Sequence, residues 1–157
     1  MSPQQPWPEQ TARPASPVRP STVPLLVLGV LTAVLGLLGT VLPTYRYAAD
    51  IGFYAPLVQV FDGRTTFQAQ GLVLVLGLAV LVTGAALVRS RTPLGTGLLL
   101  VGAGMFVEQG GAQFLALAQS VTSGGTGTAA GGVLLVLAGA AGIGTAAAGI
   151  GVLVRTS

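Results

Sequence analysis

The sequence predicts an all-α membrane protein: a four-transmembrane-helix bundle with a small extracytoplasmic hairpin or loop cap between helices 1 and 2. Three observations support this fold class: a strongly apolar composition, four apolar stretches of nearly membrane-spanning length, and an aromatic-rich connection after the first stretch. Of the 157 residues, 52% are hydrophobic and 7% are charged, and the mean hydropathy is +0.81. Soluble domains carry about 25% charged residues, so this chain has too few charges to coat a water-soluble globule.

The four apolar stretches predict helices at about 25–42, 71–88, 94–118 and 132–154, with an outer loop over 44–70. Each stretch approaches the roughly 20 residues that a helix needs to cross a bilayer. Because backbone groups in lipid must be satisfied within the segment, helices are favoured over open strands. We assign 23–157 to the transmembrane domain. Residues 1–22 hold six of the ten prolines and no apolar run, which predicts a disordered, Pro-rich cytoplasmic tail.

The arginine distribution predicts the orientation, since cytoplasmic segments of membrane proteins carry an excess of basic residues. With a cytoplasmic N-terminus, the inner segments hold five arginines and the outer segments hold two, each of these with an acid nearby. The inner set is Arg13, Arg19, Arg89, Arg91 and Arg155, and the outer set is Arg46 and Arg64. The sequence therefore predicts a multi-pass protein of the bacterial inner (cell) membrane with both termini in the cytoplasm.

The residue types that are missing narrow the chemistry. The chain contains no His, Cys, Lys or Asn, which removes the commonest metal ligands and the usual acid–base and nucleophilic groups. We therefore predict no catalytic residues, no metal site and no cofactor, and we do not expect an enzyme. The arginines are scattered rather than clustered. The expected partners are the lipid bilayer and other membrane proteins or a second copy of the chain, and no nucleic acid.

The outer loop is the first candidate functional segment, because it holds six of the nine aromatic residues. Asp62-Gly63 separates two β-prone runs, which predicts a hairpin whose turn residues adopt positive φ. Ile51–Tyr54 is expected to form a short helix. The loop is either a docking surface for a partner or lipid headgroup, or an interfacial aromatic belt packed on the bundle. The candidate partner-binding residues are Tyr45, Arg46, Tyr47, Phe53, Tyr54, Phe61, Asp62 and Arg64.

Glu108 is the second candidate, because it is the one ionisable residue inside an apolar stretch. An intramembrane carboxylate is costly to place and is a functional-site hypothesis by default. With Gln109 and Gln113 it forms a possible ion or proton site, roughly 21 Å from the inner end of its helix. If Gly110-Gly111 end that helix, Glu108 instead lies near the interface, where its cost is small.

The fourth apolar stretch is the third candidate, because it is dominated by small residues. Small side chains four positions apart let helix backbones approach closely. Such packing serves either a homo-oligomer interface or contacts within the bundle. The candidate packing residues are Gly142, Gly144, Ala146, Ala148 and Gly149.

The layout of a Pro-rich tail, four helices, a structured first outer loop and an Arg-flanked inner turn resembles that of small uncharacterised four-span integral membrane proteins of high-GC actinobacteria. The resemblance covers nearly the whole chain and carries over no functional residues. The sequence favours a non-catalytic interaction or scaffold subunit that engages a partner through the aromatic outer loop. The alternative is a small proton- or ion-coupled transporter or channel-like oligomer that uses Glu108.

Overall fold

The computed structural model describes residues 21–47, 51–123 and 129–156. This part of the chain forms four helices, α1 (Val23–Val41), α2 (Ala69–Leu87), α3 (Thr92–Ser123) and α4 (Ala130–Thr156). All four are long and apolar enough to cross a membrane. Each begins two residues before its predicted start, and α3 also extends five residues beyond its predicted end. The expected disordered tail lies outside the described residues except for Ser21 and Thr22, and so does Asp50.

A small antiparallel sheet connects α1 to α2, with its strands in the order β1-β2-β3-β4. Its strands are β1 (Tyr45–Arg46), β2 (Gly52–Tyr54), β3 (Val58–Phe61) and β4 (Arg64–Phe67). The predicted hairpin is confirmed, because Phe61 pairs with Arg64 across the turn. Asp62 and Gly63 have φ values of 49° and 70°, the positive pair that a two-residue type I′ turn requires.

The expected short helix over Ile51–Tyr54 is wrong, since Gly52–Tyr54 form strand β2. Phe53 and Tyr54 belong to the residue types that favour strands, and β3 supplies partners along the whole of β2. Gly52 has a φ of 154°, and a Cβ at this position would collide with the Val60 carbonyl. Because glycine has no Cβ, the two backbones approach more closely here than any larger residue would permit. This close approach allows β2 to pair with β3.

The helices pack in the spatial order α2, α3, α4, α1. Contacts are extensive between α3 and α4, α1 and α4, and α2 and α3, whereas α1 and α2 touch over a smaller area. The buried core contains Phe106 of α3 together with Leu25, Leu74, Leu81, Leu99 and Leu135. Gly36 of α1 lies against the Phe106 ring, where an added Cβ would be 2.8 Å from Cδ1 and Cζ. Glycine on one helix thus makes room for the largest buried side chain on another.

A buried threonine pair joins α1 to α4. The hydroxyl oxygens of Thr32 and Thr145 lie 3.1 Å apart, and both residues are fully buried. Each hydroxyl also lies within hydrogen-bond distance of the carbonyl four residues earlier in its own helix, at Leu28 and Ala141. Both polar side chains are therefore satisfied inside the apolar bundle, as interhelical hydroxyls in membrane proteins commonly are.

The small residues of α4 make contacts on two sides of the helix within the bundle. A Cβ at Gly142 would lie 3.0 Å from the Ala103 carbonyl oxygen of α3, and one at Gly149 would lie 2.9 Å from a methyl carbon of Leu100. On the other side, Gly144 faces Leu28 of α1. Of the remaining predicted packing residues, Ala148 packs against the core and Ala146 is half-buried.

Candidate functional site

A backbone junction fixes the sheet to the bundle. Thr44 follows the end of α1 and is fully buried. Its amide and its hydroxyl both donate to the Tyr54 carbonyl, at 2.7 Å and 3.0 Å. The Thr44 carbonyl in turn accepts the amide of Ala129, and the Pro43 carbonyl accepts that of Gly131 at the start of α4. The end of α1, the sheet and the start of α4 therefore form one hydrogen-bonded unit.

Two tyrosines of the sheet reach the helices. Tyr45 and Tyr54 face each other across β1 and β2, with their ring centroids 6.2 Å apart. The Tyr45 hydroxyl donates to Oε1 of Gln113 on α3 at 3.0 Å, and the Tyr54 hydroxyl donates to Oε1 of Gln70 on α2 at 2.8 Å. This side of the sheet therefore faces the bundle.

The second of these hydrogen bonds continues into the bundle. Nε2 of Gln70 donates to Oε1 of Gln109 at 2.6 Å. The Gln109 side chain is only 8% exposed, and its own amide nitrogen Nε2 has no hydrogen-bond partner. An unsatisfied buried donor costs about 1–3 kcal/mol. The series of hydrogen bonds that starts at Tyr54 thus ends at Gln109, whose amide nitrogen donates to no other group.

A cavity of about 420 Å³ lies between the sheet and the helix ends, and we call it the polar cavity. Among the described residues that line it, Arg46 is the only charged one. Burial raises the pKa of Tyr45, and burial together with the neighbouring tyrosines raises the pKa of Tyr54. Both phenols therefore stay protonated at neutral pH. The lining residues are Tyr45, Arg46, Tyr47, Tyr54, Gln70 and Gln113.

A second group of side chains stiffens the same side of the sheet. Tyr47 packs edge-on against Phe61, with centroids 5.3 Å apart and planes at 86°, a favoured aromatic geometry. The Tyr47 hydroxyl accepts Nε2 of Gln59 at 2.8 Å, and Oε1 of Gln59 accepts Nε2 of Gln68 at 2.9 Å. The side chains that form the wall of the polar cavity are therefore hydrogen-bonded to other residues of the sheet as well as to the helices.

The opposite side of the sheet is largely apolar. Cross-strand pairing aligns Phe53 with Val60 and Thr65, and Val58 with Phe67. Because side chains alternate between the two faces of a strand, these residues project away from the side that carries Tyr54, and so does Arg46, which pairs with Phe53. We call this set the outward face: Arg46, Phe53, Val58, Val60, Thr65 and Phe67.

The predicted partner-binding residues are divided between these surfaces. Phe53 belongs to the outward face, Asp62 occupies the turn, and Arg64 pairs with Phe61 beside it. Both Asp62 and Arg64 are exposed. The tyrosines line the polar cavity, whereas Arg46 borders the cavity at the edge of the sheet and pairs with Phe53 of the outward face. The loop therefore presents two distinct surfaces rather than one continuous patch.

The predicted ion or proton site is not assembled as one cluster. Gln109 and Gln113 are buried, whereas Glu108 is exposed on the outside of the bundle. Helix α3 continues through Gly110-Gly111 to Ser123, so these glycines do not end it. Since Gln109 bonds to Gln70, the second residue of α2, Glu108 lies level with the start of that helix. The 19 residues of α2 extend about 28 Å, which is close to the hydrocarbon thickness of a bilayer, about 30 Å.

Three glutamines of the site, Gln59, Gln68 and Gln70, were not predicted. Gln68 and Gln70 have a signal in the sequence, because they lie together just before the second apolar stretch, whereas Gln59 lies within the outer loop and has none. Among the described residues, no three His, Cys, Asp or Glu side chains form a metal-binding group. The phenol and amide groups that line the polar cavity are hydrogen-bonded to one another, Tyr45 to Gln113 and Tyr54 to Gln70. Comparison with protein-family models, curated protein sequences and solved structures gave no match.

Proposed function

We propose that this protein is a non-catalytic subunit of the bacterial inner membrane that binds another protein through the outward face of its sheet. The observation that carries the proposal is the apolar character of this face in a segment outside the helices. Phe67 is 78% exposed, and the half-buried Phe53, Val58 and Val60 adjoin it across the strands. Exposed apolar patches on monomers commonly mark interaction sites.

The edge of the sheet adds to this surface. β4 pairs with β3 on one side only, and all four of its residues are exposed. An unpaired edge strand offers backbone donors and acceptors to a partner strand. The Asp62-Gly63 turn and Arg64 place polar groups at one end of this edge. The expected partner is therefore a membrane-associated protein with an apolar surface next to an extended segment.

The arginine positions support an orientation with the sheet outside and both termini in the cytoplasm. Arg89 and Arg91 connect α2 to α3 at the end of the bundle opposite the sheet, and Arg155 lies in the last turn of α4 at that same end. A cytoplasmic location of these three residues agrees with the preference for basic residues on that side.

Transport coupled to Glu108 is the less supported alternative. The carboxylate is exposed on the outer surface of the bundle, and no ionisable side chain of the described helices is buried. A proton path requires a relay of groups that face the bundle interior or a water-filled cavity. The position of Glu108 therefore favours a role at the membrane interface.

The test is site-specific photocrosslinking in whole cells, with a photoreactive amino acid at three consecutive positions of β4. Substitution at Thr65 and at Phe67, which share the outward face, should give covalent adducts with the same protein. Thr66 projects to the other side and is the matched control, which should give no such adduct. Equal adducts at all three positions, or none at Thr65 and Phe67, would contradict the proposal.

A further inference from the structure

An apolar groove of about 410 Å³ lies between α1 and α2, the adjacent helices of the bundle that touch over the smallest area. Its lining residues lie between Gly29 and Leu37 of α1 and between Leu78 and Ala85 of α2, and all of them are apolar. Residues three or four positions apart share one face of a helix. Because the lining residues recur at these intervals, each helix forms one continuous wall of the groove.

The groove is closed at its floor and open at its side. Gly29 and Leu81 are buried in the floor, and Leu99 of α3 lies behind Gly29, where an added Cβ would be 3.0 Å from Cδ2 of that leucine. Val34 and Val82 form the rim and are 50% and 62% exposed. Since α1 and α2 are both long and apolar enough to cross a membrane, the open side faces the hydrocarbon of the bilayer.

The dimensions of the groove suit a single hydrocarbon chain. Leu37 lies four residues before the end of α1, and Ala85 lies two residues before the end of α2. The sheet joins the end of α1 to the start of α2, and both helices have 19 residues, so the groove covers about 19 Å of their length of about 28 Å. Its volume over this length corresponds to a mean width of about 5 Å. A helix with its side chains is about 10–12 Å across, which is too wide for this space.

An extended acyl chain matches this shape, because it is unbranched, apolar along its length and one methylene group wide. The groove is longer than one leaflet of the hydrocarbon layer is deep, about 15 Å, so it can hold a chain over most of its length. Ala33 and Ala85 have small side chains and are half-buried in the two walls, which leaves room for the chain between the helices. No charged or polar side chain lines the groove, so nothing in it selects a headgroup.

We propose that the α1–α2 groove binds one acyl chain of a membrane lipid, which fills the gap between these two helices. The groove recognises the chain and is indifferent to the headgroup. Neither the polar cavity nor the outward face takes part, so this site does not depend on the proposed function of the sheet.

The test measures lipid binding to the full-length protein by native mass spectrometry. The protein is delipidated in a detergent with a rigid steroid tail, which is too broad for the groove. Dioleoyl phosphatidylcholine and dioleoyl phosphatidylglycerol should each bind as one molecule per protein and with the same affinity. Dihexanoyl phosphatidylcholine, which has the same headgroup as the first lipid but short chains, should bind far more weakly. A preference for one headgroup, or equal binding of the short-chain lipid, would overturn the proposal.

Two matched pairs of variants locate the site. Ala85 lines the groove, whereas Ala79 is exposed on the same helix and does not line it. Ala85→Leu should abolish lipid binding because the larger side chain occupies the groove, and Ala79→Leu should not. On α1, Val34 lines the groove and Leu31, which is 45% exposed, does not. Val34→Trp should abolish binding and Leu31→Trp should not, and both changes are at exposed positions that tolerate a larger residue. If the two members of each pair behave alike while circular dichroism shows intact helices, the lipid does not bind in the groove.

A cysteine variant distinguishes a lipid from a second copy of the chain as the occupant. The chain contains no cysteine, so Val34→Cys places a single thiol at the rim of the groove. With an acyl chain in the groove, mild oxidation of membranes should leave this variant monomeric. A disulfide-linked dimer would show that a second copy packs against the groove, and this result would also overturn the proposal.

Discussion

Adding a single methyl group at Gly36 should destabilise the bundle, because this glycine lies against the largest buried side chain. A Cβ there would be 2.8 Å from Cδ1 and Cζ of Phe106, a distance that real Cβ contacts essentially never show. Phe106 is fully buried and contacts glycines of other helices, so its ring has little room to move. Overpacking of this kind costs about 1–3 kcal/mol, which is the expected loss for Gly36→Ala.

The matched control is Gly104→Ala on α3, where an added Cβ would meet nothing within 4 Å. Alanine is preferred over glycine inside a helix by up to about 1 kcal/mol, so this change should be neutral or stabilising. The assay is reversible unfolding in mixed micelles by titration with a denaturing detergent, followed by circular dichroism. In a double-mutant cycle, Phe106→Leu should recover part of the Gly36→Ala loss, since the ring atoms that collide are removed. Equal stability of Gly36→Ala and Gly104→Ala, or no coupling with Phe106→Leu, would refute the packing argument.

Three further predictions address the sheet, the acid and the orientation. Gly63→Val should make the outer loop more sensitive to protease than Thr66→Val does, since valine poorly tolerates the φ of 70° at the turn; equal sensitivity would contradict this. Glu108→Gln should leave the fold intact, and proteoliposomes should show no proton flux for either the wild type or the variant; flux that only the wild type shows would favour transport instead. A cysteine at Ser90 should react in whole cells only with membrane-permeant thiol reagents, and one at Thr65 with impermeant ones; the reverse pattern would invert the proposed orientation.

The helices and the hairpin could be predicted because their signals are local. Hydropathy over about 20 residues identifies a membrane-length helix, and Asp62-Gly63 needs only its own backbone preferences to form a turn. β1 and β2 could not be predicted in the same way. They contain two and three residues, and the pairing of Gly52 with Phe61 depends on a close approach that the sequence around Gly52 does not encode.

The site was predicted only in part, because its geometry is set by contacts between distant residues. Gln70 and Gln109 are 39 positions apart, and nothing near either residue indicates the other. The sequence also did not show that Glu108 lies on the outside of the bundle. Glycine and alanine occur on all sides of α3, so they leave no clear apolar face from which the buried side could be inferred. The tyrosines were found because aromatic residues are few in this chain and concentrated in one loop.

The spatial order of the helices has a consequence for biosynthesis. The principal neighbour of α1 is α4, which is synthesised after α2 and α3, and the hydroxyl pair that joins them spans 113 positions. Helix α1 therefore remains without its main packing partner until α4 has been translated. Contacts between distant positions form late because the chain between them must be closed first. In a nascent chain that ends after α3, Thr32 and Gly39 of α1 lack Thr145 and Leu135, the residues of α4 against which they lie in the folded protein.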